Sequence, residues 1–247
     1  MSEQAYKQPP ITEAVIEIRF ATPNDDATIA KASGDFKSHY PQEDAATNVA
    51  VQLYLPTGME IKTMAQTLEK KGRRRSSMDQ TQLVLLWPDN FVISQLAPYP
   101  GWDAFFERFR RDWEIWKRGI GYKKISRIGV RYINRIDIPL SGPLLEYERF
   151  LNIYAYLPES LGPVSSYAVQ AQLPLQEIGC KLTLSSGLVP SPVLRHVSFV
   201  FDQDIAKEET PPQNDDEIYN LLNEIRVKKN IVFETCVTDE ARRLFNP

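Results

Sequence analysis

The sequence predicts an α+β fold, a largely antiparallel sheet with packed helices, and three observations predict it. Segments near the start and in the middle alternate apolar and charged residues with period two, the pattern of a half-buried strand. Turns rich in Pro, Gly and Asn join other apolar segments at hairpin spacing. One long segment repeats large aromatic residues at spacings of three and four, as a helix does when it buries one face. The chain has 247 residues, 43% of them hydrophobic and 25% charged, which is enough apolar mass for a sizeable core. No low-complexity linker interrupts it, so residues 1–247 read as a single compact unit.

The first strand is ITEAVIEIRF, Ile11 to Phe20. Ala14, Ile16, Ile18 and Phe20 form its apolar line, and Glu13, Glu17 and Arg19 its charged line. Pro9-Pro10 stops the tail before it. A short helix is expected over Asp26 to Tyr40. Val49 to Leu55 and Met59 to Leu68 flank PTG, while Gln82 to Trp87 and Phe91 to Leu96 flank PDN; both pairs read as hairpins. Between the hairpins EKKGRRRSS, Glu69 to Ser77, reads as an exposed loop.

The helix from Trp102 to Lys117 carries Trp102, Phe105, Phe106, Phe109, Trp113 and Trp116 on one stripe. Arg108, Arg110, Arg111 and Asp112 fall mostly off that stripe, and Gly119 and Gly121 end the helix. The next strand, RIGVRYINRIDIP, has Ile128, Val130, Tyr132, Ile136 and Ile138 on one side, with Asn134 breaking the line. Its other side carries Arg127, Arg131, Arg135 and Asp137. A helix over Leu144 to Tyr154 follows, then strands over Tyr167 to Leu173, Ile178 to Ser185 and Val193 to Gln203. Asp215 or Asp216 caps a helix that buries Ile218, Leu221, Leu222 and Ile225 and runs to Lys229. A last short helix spans 238–245. Residues 9–120 and 125–232 share a β-α-β-β-α plan, which predicts two topologically similar halves although their residues repeat poorly.

The formal net charge is −3, so no global basic field exists for nucleic acid. Two cysteines, Cys180 and Cys236, do not make a disulfide scaffold and point to a reducing cytoplasmic setting. The polar start MSEQAYKQPP lacks an apolar targeting segment, and runs such as Leu83 to Trp87 are too short to cross a bilayer. A cytoplasmic protein with no membrane partner is expected.

Four stretches carry a family resemblance: PPITEAVIEIRF at the start, GWDAFFERFRRDW in the helix, RIGVRYINRIDIP in the middle and FETCVTDEARRLF at the end. Together they resemble a sporadically distributed bacterial family of proteins of about this length. The resemblance spans the chain and brings no established activity with it. What it implies is a setting: patchy distribution suggests mobile genes, and hence conflict or anti-phage defence systems.

Two charged lines on neighbouring strands raise the main functional question. Arg127, Arg131 and Arg135, with Arg19, Glu13 and Glu17, form either a ladder of weak cross-strand ion pairs or an anion-binding groove. Arginine suits the second because its planar fork binds phosphate in two places. The same alternation loosely resembles the strands of triphosphate-tunnel enzymes, although Val15 stands where that family's opening motif has a second glutamate. Mg²⁺ enters only under that enzyme reading, and Asp202 and Asp204 are its weak candidate ligands. Otherwise no cofactor is expected. The run Lys70, Lys71, Arg73, Arg74 and Arg75 is a candidate nucleic-acid or partner loop, but no aromatic residue interleaves it for base stacking. His39, His196, Cys180 and Cys236 lack the paired spacing of a zinc site. No nucleophile elbow, P-loop or dinucleotide fingerprint occurs, so no catalytic residue is assigned. The expectation is a non-enzymatic interaction or regulatory module that binds a protein partner, a second copy of itself or an anionic ligand. A nucleotide- or polyphosphate-processing enzyme and a nucleic-acid-binding protein are the alternatives.

Overall fold

The computed structural model describes residues 6–54, 64–140, 146–162 and 164–246, with the side chains of 47–54, 64–70 and 159 excepted. At its centre β1 (Ile11–Phe20) and β6 (Ile125–Pro139) run antiparallel, with Glu17 opposite Gly129 and Arg19 opposite Arg127. On one side of this pair follow β5 (Asn90–Leu96), β4 (Gln82–Leu86), β3 (Met64–Ser76) and β2 (Gln42–Tyr54). On the other follow β9 (His196–Lys207), β8 (Cys180–Val189) and β7 (Ala168–Leu175). All nine strands belong to one antiparallel sheet, so the α+β reading holds. From the central pair the strands step outward in reverse chain order on both sides. The first side inserts α1 (Asp26–Asp35) after its central strand; the second has one strand fewer and, among the described residues, two 3-10 turns there, Tyr147–Arg149 and Glu159–Leu161.

Period-two patterning does what it predicts. Ala14, Ile16 and Ile18 are fully buried, as are Ile128, Val130 and Ile136 on the neighbouring strand. Against this face lies α2 (Trp102–Ile120), whose Trp116 stacks on Phe20 with ring centroids 5.2 Å apart and tilts over Phe91 at 5.3 Å. Each such ring contributes about 1.5–3 kcal/mol through burial. Next to α2 lies α3 (Asp215–Cys236): Tyr219 meets Phe106 edge-on at 5.7 Å, and Phe233 contacts Phe201 of β9 at 6.0 Å. The last helix, α4 (Asp239–Leu244), starts at the Thr238 cap and ends at Phe245, which packs on Phe233. The core therefore sits between one sheet face and a single layer of helices.

Several expectations need correction. The EKKGRRRSS stretch is no loop: β3 runs to Ser76, and only the turn 77–81 separates the two hairpins. All thirteen residues of β2 pair with β3, but only Arg73 to Ser76 of β3 pair with β4, so the ribbon continues past the sheet. The PTG turn lies outside the described residues. The helix expected over Leu144 to Tyr154 reduces to the first of these 3-10 turns, its first two positions lying outside the described residues. Its backbone instead bonds the end of α3: Asn152 N–H donates to Cys236 O at 2.8 Å, and Thr238 N–H donates to Phe150 O at 3.1 Å. Helix α1 stops at Asp35, because Phe36 and Tyr40 turn inward to full burial. Asn214, not an aspartate, caps α3 by accepting from Glu217 N–H at 3.0 Å, and the helix passes Lys229 to reach Cys236. Gly119 lies inside α2, and Gly121, at φ 87°, ends it.

Candidate functional site

The charged lines of β1 and β6 share the face of the sheet opposite the helices, as alternation requires. There Arg127 folds back along its own strand and lies flat over Gly129. A Cβ on Gly129 would stand 2.9 Å from the guanidinium carbon, so only glycine leaves room for the side chain to lie this way. The guanidinium bridges Glu17 on one side and Asp204 on the other, the latter at 2.6 Å, with Glu208 3.4 Å from Nε. Its side chain is 9% exposed. Arg131 forks onto Asp202 at 2.6 and 2.9 Å. Arg135 pairs with Asp137 at 3.1 Å, which also accepts from Ser198. Arg19 pairs with Glu17 at 2.9 Å. Glu13 accepts from Ser94 at 2.5 Å and acts on Arg131 through charge alone.

The structure thus brings together Arg19, Glu17, Arg127, Arg131, Asp202 and Asp204, and sets Glu13 and the Arg135–Asp137 pair beside them. Burial pushes the Asp204 carboxyl up, with Arg127 opposing that shift. The hydrogen bond that Arg131 donates to Asp202 raises the arginine above its ordinary value. Across the central strands Arg19, Arg127, Arg131, Arg135 and Lys181 meet six carboxylates, Glu13, Glu17, Asp137, Asp202, Asp204 and Glu208. An anion would have to displace a carboxylate already in place. The sheet is open, with β2 and β7 as its edges, so these lines do not enclose a tunnel.

Asp202 and Asp204, the candidate Mg²⁺ ligands, each hold an arginine. Among the described residues no group of three His, Cys, Asp or Glu converges as a metal site would require. Cys180 and Cys236 are buried, and burial pushes both thiols up to about 11, which keeps them protonated at neutral pH. His196 Nδ1 lies 2.9 Å from Leu194 O, and His39 is exposed after α1.

The basic run of β3 is divided between the two faces of the sheet. Arg75 points to the helix side, 5% exposed; it donates to Ser33 Oγ and the Tyr40 carbonyl and pairs with Glu43 at 2.6 Å. Arg73 approaches Asp26 at 3.7 Å. Arg74 lies opposite Leu85 on the helix-free face, Lys71 is exposed, and the Lys70 side chain lies outside the described residues. A strand alternates its side chains, so Arg74 shares no continuous patch with Arg73 and Arg75.

A second polar cluster went unassigned in the sequence reading. On α2 Asp112 is fully buried and Arg108 is 7% exposed. Tyr40 donates its hydroxyl to Asp112; Arg108 and Arg111 donate to the same phenol oxygen at 3.1 and 3.0 Å. Arg111 also pairs with Asp112 at 2.8 Å. Arg108 reaches the Ser94 carbonyl at 2.9 Å and the Leu83 carbonyl at 3.5 Å. Burial pushes both the Tyr40 phenol and the Asp112 carboxyl up, so the phenol keeps its proton and donates it. The signal was present: 105, 109, 112 and 116 follow helical spacing, which puts Asp112 on the aromatic stripe itself.

A scan against protein-family models finds no match to this chain, and a search of curated proteins finds none.

Proposed function

We propose that this chain is a non-enzymatic interaction module that docks a protein partner on the helix-free face of its sheet. The observation that carries this reading is the composition of that face. Arg19, Arg131 and Arg135 are held at one end by carboxylates yet remain 49%, 50% and 38% exposed. On the same face stand half-buried Val15 and Ile133 of these two strands and Leu85, Val92 and Val200 of the flanking ones. Tethered arginines among apolar side chains suit protein recognition: arginine is enriched at interface cores and lysine depleted. Pre-positioning by Glu17, Asp202 and Asp137 also lowers the entropy cost of binding. Near-balanced charge favours a protein surface over a polyanion. The family resemblance supplies a setting for the proposal, an accessory component of a bacterial defence or toxin–antitoxin-like system.

The test is binding to the products of neighbouring genes, measured by calorimetry. Changing Arg19→Ala with Arg131→Ala is expected to weaken the complex by about 30-fold, a loss typical of interface arginines. Wild-type affinity in the double variant, or no binding by any neighbouring product, overturns the proposal.

A further inference from the structure

We infer that the chain dimerises through the free edge of β7, which pairs antiparallel with β7 of a second copy about a two-fold axis at Ala171. Among the described residues β7 ends the sheet, and no strand pairs with its outer edge. Leu188 N–H donates to Tyr167 O at 3.2 Å, and the register from Ala168–Gly187 to Leu175–Cys180 runs without a shift. In an antiparallel ladder the odd-numbered residues of β7 therefore aim their backbone groups at β8, while Ala168, Gln170, Gln172 and Pro174 aim theirs outward. A row of outward N–H and C=O groups is a template for another strand, and sheet edges are commonly guarded by charge or a bulge. The opposite edge, β2, carries Glu43 and Asp44. Residues 168–175 hold neither charge nor bulge, and only Pro174, near one end, guards them.

Two observations name a second copy as the occupant. The first is the sequence of the strand. Around Ala171 it reads Val-Gln-Ala-Gln-Leu, the same side-chain types in both directions. A two-fold axis at Ala171 sets Gln170 against the partner's Gln172 and Val169 against the partner's Leu173, so the edge complements itself. No charged side chain of the strand meets its own copy across that axis. The second observation is burial. Leu173 shares the helix-side face with its neighbour Leu182, yet Leu182 is 3% exposed and Leu173 is 43% exposed. Ala171 is exposed as well. The helix layer buries β8 and leaves the apolar line of β7 uncovered. In the paired sheet the partner's Val169 covers Leu173. Gln170 N–H and C=O bond the partner's Gln172, twice over by symmetry, and Ala168 N–H donates to the partner's Pro174 C=O. Pro174 withholds one donor at each end and leaves those bonds in place. This edge shares no residue with the arginine face and does not depend on the function proposed for that face.

The experiment is sedimentation velocity on the full chain from about 1 to 100 µM, where a micromolar dimer passes from monomer to dimer. Ala171→Glu sets two carboxylates at the axis without disturbing the bonds to β8, and is expected to weaken association at least about 100-fold. Gln172→Pro removes an outward N–H alone and is expected to weaken it about tenfold. Ala171→Cys places two Cα atoms about 4.5 Å apart in a non-hydrogen-bonded pair, within disulfide reach, so mild oxidation is expected to cross-link the dimer. Cys180 and Cys236 are buried and do not compete. All three positions of change lie on the exposed edge, and each variant is expected to keep the wild-type circular dichroism. The inference is overturned if the wild type sediments as a monomer at the top concentration, if Ala171→Glu remains a dimer, or if a dimeric Ala171→Cys sample fails to cross-link. A monomer that binds a neighbouring gene's product through β7 gives the edge to another chain and overturns it equally.

Discussion

On the helix-free face Arg127 is gripped by Glu17, Asp204 and Glu208; under α2 Arg108, buried to the same degree, has a phenol and two carbonyls. The two arginines differ in what their carboxylate neighbours are doing. Around Arg127 the acids outnumber the bases, and Gly129 is bare so that the guanidinium can lie among them. Around Arg108 the single buried acid serves Arg111. A guanidinium saturated with carboxylates holds strands together, and its removal strands the acids. One bonded to neutral groups meets its nearest acid, Asp112, through the Tyr40 hydroxyl, while that acid pairs directly with Arg111.

The largest expected effect breaks this comparison most directly. Arg127→Leu leaves Glu17 and Asp204 facing each other with partial burial, and is expected to cost about 3–5 kcal/mol in urea unfolding. Arg108→Met leaves Asp112 its direct pair with Arg111, so its cost is expected to be smaller, about 1–2 kcal/mol for the lost neutral hydrogen bonds. Equal losses would show that the two guanidiniums are held alike. Gly129→Ala sharpens the same point. Its methyl must lift Arg127 off the strand, at an expected cost of about 1–3 kcal/mol. In the Arg127→Leu background that cost should largely vanish; a cost that persists would place the strain in the backbone and not in the guanidinium.

The fold was legible because its strands are half-buried: alternation in ITEAVIEIRF and RIGVRYINRIDIP set both the strands and their shared charged face. The partners on that face were not legible, since β9 joins β6 from some 70 residues away and brings Asp202 and Asp204 to Arg131 and Arg127. Opposite charge on β1 pointed to both Glu17 and Glu13; Glu17 bonds Arg127, whereas Glu13 bonds Ser94 and reaches Arg131 only through charge. The run KKGRRR looked like a loop because its composition is polar. Yet Arg75 is buried by Ser33, Tyr40 and Glu43, and Trp87 covers Gly72; both contacts are long-range. The α2 cluster was hidden for a different reason. Charge at 108 and 112 read as the solvent side of the helix, while the spacing of those positions from Phe105 and Trp116 placed them inward. Periodicity was the better guide, and residue type misled.

The smallest expected effect on stability belongs to Arg131, and it separates holding from binding most sharply. Its fork onto Asp202 has good geometry, but the side chain is 50% exposed, so water competes for both groups. Exposed pairs contribute about 0.2–1 kcal/mol. Arg131→Gln should therefore shift the urea midpoint only slightly, and still less in high salt, where screening already weakens the pair. If Arg131 is a docking residue, the same substitution should weaken partner binding by more than the stability change, because desolvation on binding strengthens what water now screens. A large stability loss with unchanged binding would make Arg131 structural, like Arg127. The opposite result would mark the boundary within one strand where the arginines stop bracing the sheet and start meeting a partner.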